Sequence, residues 1–292
     1  MIPMPKPFQV QKPGPLLSSL FDAWPKEKKK QIRTWLKFQA INVNGQPVSQ
    51  FDHPLKTGDT VSVRTDRHAV PKTRLSSGLQ IYFEDAHLLV VEKPAGLLSI
   101  ASPAEPERTA YFQLTDYLRH KNPRSRQRAW IVHRLDRETS GLMVFAKTAP
   151  TKEALQSQWD TFEKTYQAVV EGHLPKTSGT LRSDLDESNP HHVTVRPKSE
   201  RTRHAITHYR VLKSSPHRSW VELTLETGRR HQIRVQLADA GCPVVGDEKY
   251  SAKTDSAGRL ALHACFLRFC HPATKAELRF TSPFPKPLLR LI

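Results

Sequence analysis

One carboxylate stands alone in a basic stretch of this chain. From Arg119 to Arg137 the basic residues are Arg119, Lys121, Arg124, Arg126, Arg128, Arg134 and Arg137, and Asp136 is the single acid. If that face meets an anionic polymer, a carboxylate there opposes binding by repelling phosphate, so another task is expected of it. Two tasks suit a lone aspartate: closing a turn through its own side chain, or serving as a covalent or charge-stabilising catalyst. Other chemistries find less support. Glycosidases normally set two carboxylates at least ~5 Å apart across the substrate, and Glu138 is near Asp136 in sequence with nothing to fix it opposite. Neither GxGxxG after a strand nor GxxxxGK[ST] occurs, so no cofactor is expected. Histidines are frequent, with His191-His192 adjacent and His204 and His208 four apart, yet the latter pair lies in an alternating, strand-like stretch and no HExxH occurs, so no metal is expected.

The elements that must position Asp136 are legible around it. In Trp130–Thr148, WIVHRLDRETSGLMVFAKT, apolar Ile131 and Val132 lead into His133-Arg134-Leu135-Asp136, and Thr139-Ser140-Gly141 follows. Leu142, Val144 and Ala146 then alternate as a half-buried strand would. The pattern places Asp136 on a loop between two buried strands, where rigid flanks fix the geometry of a reacting group.

Three ordered motifs carry a family resemblance. HRLDRETSG at 133–141, Lys164-Thr165-Tyr166-Gln167-Ala168-Val169-Val170-Glu171-Gly172, and Thr227-Gly228-Arg229-Arg230-His231-Gln232-Ile233-Arg234 together resemble the RluA-type pseudouridine synthases, with the likeness running from about Leu79 to Pro285. Glu92-Lys93-Pro94-Ala95-Gly96 also resembles that family's Lys-Pro-x-Gly segment. The resemblance implies an α+β fold with a mixed, largely antiparallel central sheet, flanking helices and a central cleft. It implies an RNA uridine isomerase in which uracil is detached from ribose, turned while held, and rejoined through carbon. Asp136 is then the catalytic carboxylate, by attack on the anomeric carbon, by charge stabilisation, or by deprotonating the sugar toward a glycal.

The same resemblance assigns the partners of Asp136. Arg234 matches the family's basic partner, an opposite charge that favours a carboxylate within ~4–6 Å. Tyr166 matches the active-site aromatic, which can stack on an extruded base and whose hydroxyl can assist proton removal. Arg134 is expected to reach into the space left by the flipped nucleotide, and Arg137, Lys93, Arg230 and His133 to belong to the RNA-binding set, His133 chiefly by supporting the loop. Thr139 and Gly141 read as structural, letting the loop turn beside the bound backbone. Gln236 stands where relatives commonly have His, a change expected to matter little.

Composition agrees with an RNA partner. The 292 residues are 37% hydrophobic and 8% aromatic, those of an ordinary globular chain. Lys and Arg number 45 against 28 Asp and Glu, a net charge of +17 with a pI near 10.0, the footprint of a phosphate-rich partner. Ribosomal RNA is the first expectation and transfer RNA the second, without DNA and as a monomer. No run approaches ~18 apolar residues and the N-terminus lacks an apolar core like a signal peptide, so membrane and export are set aside and a cytoplasmic protein is expected. Cys242, Cys265 and Cys270 form no CxxC and read as reduced thiols. A noncatalytic RNA-binding or ribosome-assembly protein on the same fold is the alternative, against which the intact set of Asp136, Tyr166 and Arg234 argues.

The rest of the chain divides in order. Residues 1–15, rich in proline, are expected as an extended tail. Residues 16–63 read as two short helices, with Leu16, Leu17, Leu20 and Phe21 on one face and Ile32, Trp35 and Leu36 on the next, then a short strand entering a turn over Ile41–Gly45 and a turn entering another strand over Leu55–Val63. Six basic residues lie between Lys26 and Lys37. This resembles the alpha-L RNA-binding module, although Phe38-Gln39-Ala40 lacks the glycine expected before the first strand, which makes the module degenerate. Residues 64–78 are a basic linker and 79–292 the catalytic domain. Within the latter the pattern predicts a central strand at Leu88–Val91, helices at Thr109–His120, Thr151–Phe162 and Gln232–Ala240, the last capped by Gly241, a surface excursion over Pro175–Arg203, and an end to the fold at Pro283–Pro287.

Overall fold

The structure, a computed structural model, describes residues 5–37, 41–48, 50–63, 73–75, 77–102, 105–121, 127–189, 192–255 and 257–292. Phe38-Gln39-Ala40, most of the 64–78 linker, Arg124, Arg126 and His191 fall outside the described residues. The chain folds as two compact units, residues 1–73 with 81–84, and residues 74–80 with 85–292.

In the first unit, strands β1 (Phe8–Gln9) and β2 (Gly14–Pro15) precede helices α1 (Leu16–Ala23) and α2 (Lys29–Lys37), followed by β3 (Ile41–Val43), β4 (Gln46–Val48), β5 (Pro54–Leu55) and β6 (Thr60–Val63). α1 ends before Pro25, whose ring cannot continue a helix without disrupting it. Asn44 and Gly45, both at positive φ (52° and 79°), make the tight turn joining β3 to β4. Leu16, Leu20, Ile32 and Leu36 meet Ile41, Val43, Val61 and Val63 in one apolar core. The expectation of an extended tail at 1–15 is corrected here. Phe8 pairs with Val61 and Gly14 with Leu55, Val10 is buried in the core, and the Trp24 indole N–H donates to the Lys6 carbonyl at 3.0 Å. Pro13 lies between β1 and β2 and Pro15 within β2, rather than in a free tail.

After β7 (Thr73–Arg74) and β8 (Gln80–Glu84), the second unit contains β9 (Leu88–Lys93), α3 (Ala110–Lys121), β10 (Trp130–Ile131), β11 (Ser140–Ala146), α4 (Ala149–Ser157), β12 (Glu163–Glu171), β13 (Ser178–Asp186), β14 (Thr194–Arg196), β15 (Thr202–Ser214), β16 (Arg218–Leu225), α5 (Gln232–Asp239), β17 (Leu262–Cys270), β18 (Glu277–Thr281) and α6 (Lys286–Leu289). Its strands join in the order β14-β13-β15-β16-β12-β17-β11-β9, with β10 on β11 and β18 on β17. β11 and β17 run parallel, while the other pairings within this order are antiparallel. The mixed, largely antiparallel sheet is therefore as expected.

Several local expectations change. All seven residues of β11 are buried rather than alternating, because both faces are covered, α4 being among the elements packed against the strand. The helix expected at 151–162 starts earlier and stops sooner. Thr148 caps α4 by accepting from Thr151 N–H at 3.3 Å, and a separate 3-10 turn holds Trp159–Thr161. The excursion over 175–203 belongs to the sheet, as β13, β14 and the start of β15. The fold continues past Pro287, since Leu288 of α6 is buried among Val169, Val244 and Leu260. α5 ends as expected with Gly241 at φ 74°, a left-handed position that glycine fills without a Cβ penalty.

Candidate active site

The loop carrying Asp136 is pinned from several sides. At its start β10 lies on β11, Ile131 opposite Phe145. At its end Gly141 adopts φ 123° opposite Ala264, and a Cβ there would sit 2.3 Å from the Ala264 carbonyl oxygen. This glycine is structural, as expected, but the reason is the close approach of β17 rather than a bound RNA backbone. Between these ends the turn is closed by main chain, Thr139 N–H donating to the Asp136 carbonyl at 3.2 Å. The Asp136 carboxylate is directed to other side chains. Ser99 Oγ donates to the Leu135 carbonyl at 2.6 Å and accepts from Leu135 N–H at 3.1 Å.

Lys93, expected on the RNA side, holds this loop, and so does His133, whose expected part was chiefly to support it. Lys93 is fully buried, and its Nζ donates to the carbonyls of Leu97 at 2.7 Å, Arg137 at 2.9 Å and Pro94 at 3.0 Å. Three carbonyls match the three donors of an ammonium, so the expectation of an RNA contact by Lys93 is corrected. Its burial lowers its pKa to about 7, with the charges of Glu138 and Asp136 acting the other way. His133 accepts from Val144 N–H at 3.1 Å through Nε2 and lies against the Trp159 ring at 4.5 Å. Burial pushes its pKa down to about 3, so it acts as a neutral acceptor that braces the loop.

Helix α5 delivers the cation. Arg234 is buried, and it donates to Asp247 twice, from Nε to Oδ2 and from Nη2 to Oδ1, both at 2.7 Å. Its Nη1 donates to Asp136 Oδ2 at 3.0 Å. Burial works against the charge on Arg234, but Asp247 and then Asp136 outweigh it and raise its pKa further. The bidentate fork fixes the guanidinium plane, so Asp136 receives a donor whose direction is set by a third residue.

Asp247 was not among the residues singled out in the sequence. Its signal was faint: an acid directly after the apolar pair Val244-Val245 and a glycine. Gly246 has φ 77°, and a Cβ there would come within 2.3 Å of the Arg259 carbonyl oxygen. His231 and Tyr250 were also missed as site residues. The His231 ring lies beside Asp136, Nε2 to Oδ1 3.7 Å, and Nδ1 is 2.7 Å from the Tyr250 hydroxyl.

Tyr166 sits on β12 at a register shift. Thr165 pairs with Phe266 and Tyr166 with Ala264, so Cys265 is the extra residue of a bulge, a device that re-aims a neighbouring side chain. Burial and then the charge of Asp136 raise the Tyr166 pKa, keeping the phenol protonated. Asp136 lies where two cavities meet. One is a cleft of about 620 Å³ lined by Ser99, Ile100, Arg134, Arg137, Lys249 and Arg259 among others. The other is a pocket of about 70 Å³ walled by Tyr166, Leu225, Ile233 and Leu262. Asp136, Arg134, His231 and Arg234 border both.

Arg134 and Arg137 are exposed and line the cleft, Arg137 also pairing with Glu105. Arg230 is not at the cleft. Its N–H donates to Glu187 Oε1 at 2.8 Å and its Nη2 to the Glu187 carbonyl at 2.9 Å, and it lines neither cavity. Gln236 is buried, accepting from Thr207 Oγ1 at 2.6 Å and donating to Ser183 Oγ at 2.9 Å and the Ala205 carbonyl at 3.0 Å. It ties α5 to β13 and β15. Among the described residues no group of three or more His, Cys, Asp or Glu is placed to hold a metal, and no helix is long and apolar enough to cross a membrane.

A salt-bridged aspartate where a small pocket of mixed lining meets an arginine-edged cleft fits an enzyme that acts on a base of RNA. The family model described as RNA pseudouridylate synthase matches residues 87–239. The uncharacterized RNA pseudouridine synthase YhcT of Bacillus subtilis is 34% identical over 285 residues, covering 95% of this chain and 92% of that protein. The ribosomal large subunit pseudouridine synthase D of Xanthomonas campestris is 33% identical over 293 residues, covering 94% and 86%. The solved structure of human RNA pseudouridylate synthase domain containing 4 superposes with a TM-score of 0.60 at 25% identity, over 72% of this chain and 90% of that one. The chain belongs to the RNA pseudouridylate synthase family, and its activity is the isomerisation of uridine in RNA.

Proposed function

We propose that this enzyme isomerises uridines of ribosomal RNA with Asp136 as the catalytic carboxylate, acting on a nucleotide flipped into the pocket beside Tyr166. The supporting observation is the setting of Asp136: Arg234 holds Oδ2 at 3.0 Å, Oδ1 lies 3.7 Å from His231 Nε2, and the residue lines both cavities. The chemistry breaks the bond from N1 of uracil to the anomeric carbon and forms one from C5. The proton leaves C5 and N1 gains one, so no cofactor or net redox change is needed. Asp136 serves by attack on the anomeric carbon, by stabilising its charge, or by removing a sugar proton, and Arg234 steadies it on each route. Tyr166, Leu225, Ile233 and Leu262 offer the faces that hold a detached uracil while it turns. Arg134, exposed at the mouth of the pocket, is placed to fill the gap left in the RNA. Relatives named for the ribosomal large subunit support ribosomal RNA as substrate, with transfer RNA second. The first unit, as a degenerate alpha-L module, adds phosphate contacts. We place the enzyme in the cytoplasm, as a monomer.

The test is Asp136→Asn, which keeps the shape and removes the charge. Pseudouridine yield should fall by about 10³-fold or more. The dissociation constant for the same RNA should be unchanged or lower, because a charge repelling phosphate has gone. Mapping pseudouridines in total RNA from cells with and without the gene identifies the target. Undiminished yield from the Asn variant refutes the catalytic assignment.

A further inference from the structure

His231, the residue before α5, has a left-handed backbone, φ 53° and ψ 17°, a conformation uncommon outside glycine, though histidine adopts it more often than most, as Asn and Asp do. Such positions persist where surrounding contacts over-determine them, and they gather at functional sites. Here the contacts are specific. Tyr250 is buried, and its hydroxyl oxygen accepts from Val193 N–H at 3.1 Å. Burial raises the phenol's pKa, so the hydroxyl keeps its proton. The neighbour available for that proton is His231 Nδ1 at 2.7 Å. Burial also lowers the pKa of His231 to about 4, with Asp136 acting in the other direction, so near neutrality the ring carries one proton. With Nδ1 accepting from Tyr250, that proton is on Nε2, the nitrogen 3.7 Å from Asp136 Oδ1.

We infer that His231 is a positioning residue for Asp136: Tyr250 sets its tautomer, and its Nε2–H holds the carboxylate oxygen that Arg234 leaves unbound. The two oxygens of Asp136 then have different keepers. Arg234, locked by Asp247, grips Oδ2 firmly. His231 Nε2 stands 3.7 Å from Oδ1, beyond hydrogen-bond distance in this structure, and it orients this oxygen once the gap shortens, leaving it able to react. The inference rests on the proposed role of Asp136 and extends it to a second chain of residues, Val193–Tyr250–His231–Asp136.

Asparagine and glutamine at position 231 separate this role from a structural one. Gln carries its amide near the place of Nε2 and can still donate to Asp136. Asn carries its amide near Nδ1 and reaches Tyr250 instead. Asn tolerates the left-handed backbone better than Gln, so stability should rank Asn above Gln while activity ranks in the opposite order. In single-turnover reactions on saturating RNA, we expect His231→Asn to lose about 10²-fold in rate and His231→Gln about 10-fold or less, with little change in RNA affinity. Tyr250→Phe gives a second measurement that does not depend on how position 231 tolerates substitution. Nitrogen-15 NMR of the histidine ring should show the Nε2–H tautomer in the parent and proton density moving to Nδ1 in the Phe variant, together with a slower reaction. Equal rates for Asn and Gln overturn the inference, as does an Nδ1–H tautomer in the parent. Asp136→Asn is run alongside: if that variant is active the proposed chemistry itself fails, whereas an inactive Asp136→Asn control with equal Asn and Gln rates at position 231 removes only the role of His231.

Discussion

Positive charge is placed in two different ways in the two units. α2 and the turn before it expose Lys26, Lys28, Lys29, Lys30 and Arg33, with Lys29 and Arg33 lying over the Phe21 ring at 5.4 and 5.5 Å. In the second unit Arg234 and Lys93 are buried, and each is answered atom by atom by Asp247 and Asp136 or by three carbonyls. Exposed charges act on a polyanion through a screened potential in which one lysine substitutes for another. A buried charge survives only with designated partners, so its partners disclose what it is for. The first arrangement can set affinity, and the second can set geometry at a reacting atom.

The sharpest way to break this contrast is Asp247→Ala. It leaves the Arg234 guanidinium buried with Asp136 as its remaining carboxylate, and should cost about 3–5 kcal/mol of stability. Urea unfolding measures it; a loss under ~1 kcal/mol would mean that the pair is not structurally coupled as described. Isomerisation should fall as well, since the donor to Asp136 is no longer aimed.

Glycines extend the comparison to the backbone. Gly45 and Gly141 both have positive φ, but a Cβ at Gly45 meets nothing within 4 Å while one at Gly141 collides with Ala264. Gly45→Ala should cost roughly 1 kcal/mol, from conformation alone. Gly141→Ala should cost about 3 kcal/mol or more, because strand separation must also change. Equal melting temperatures for the two variants would show that β17 can move away from the Asp136 loop without penalty.

The smallest effects per residue belong to α2. Changing Lys28, Lys29 or Lys30 to Gln should each lower the salt slope of RNA binding by about 0.7–0.9 if that lysine meets a phosphate. Single-turnover chemistry on saturating RNA should be nearly unchanged. Slopes identical to the parent's would remove the first unit from the RNA contact, and a large fall in rate would blur the division between affinity and geometry.

Local pattern was enough to identify much of this enzyme. The apolar run of β9, the Gly241 end of α5 and the mixed sheet were legible because they depend on neighbours in sequence or on a strong motif. Asp136, Tyr166 and Arg234 were picked out by three motifs, and the fold brings all three to one pocket. Other features depend on what packs from a distance. The alternation in β11 suggested one wet face, yet burial on both faces was decided by what covers them. The proline-rich start looked like a tail because its strands pair with residues near 55 and 61. Lys93 read as an RNA contact, since a lysine in sequence does not reveal that three carbonyls surround its amine. Asp247 and the His231–Tyr250 pair belong to the same class. Motif and period report residue types and faces, whereas the tautomer of a histidine or the plane of a guanidinium is set by hydrogen bonds across the fold, and those exist only once the tertiary structure has closed.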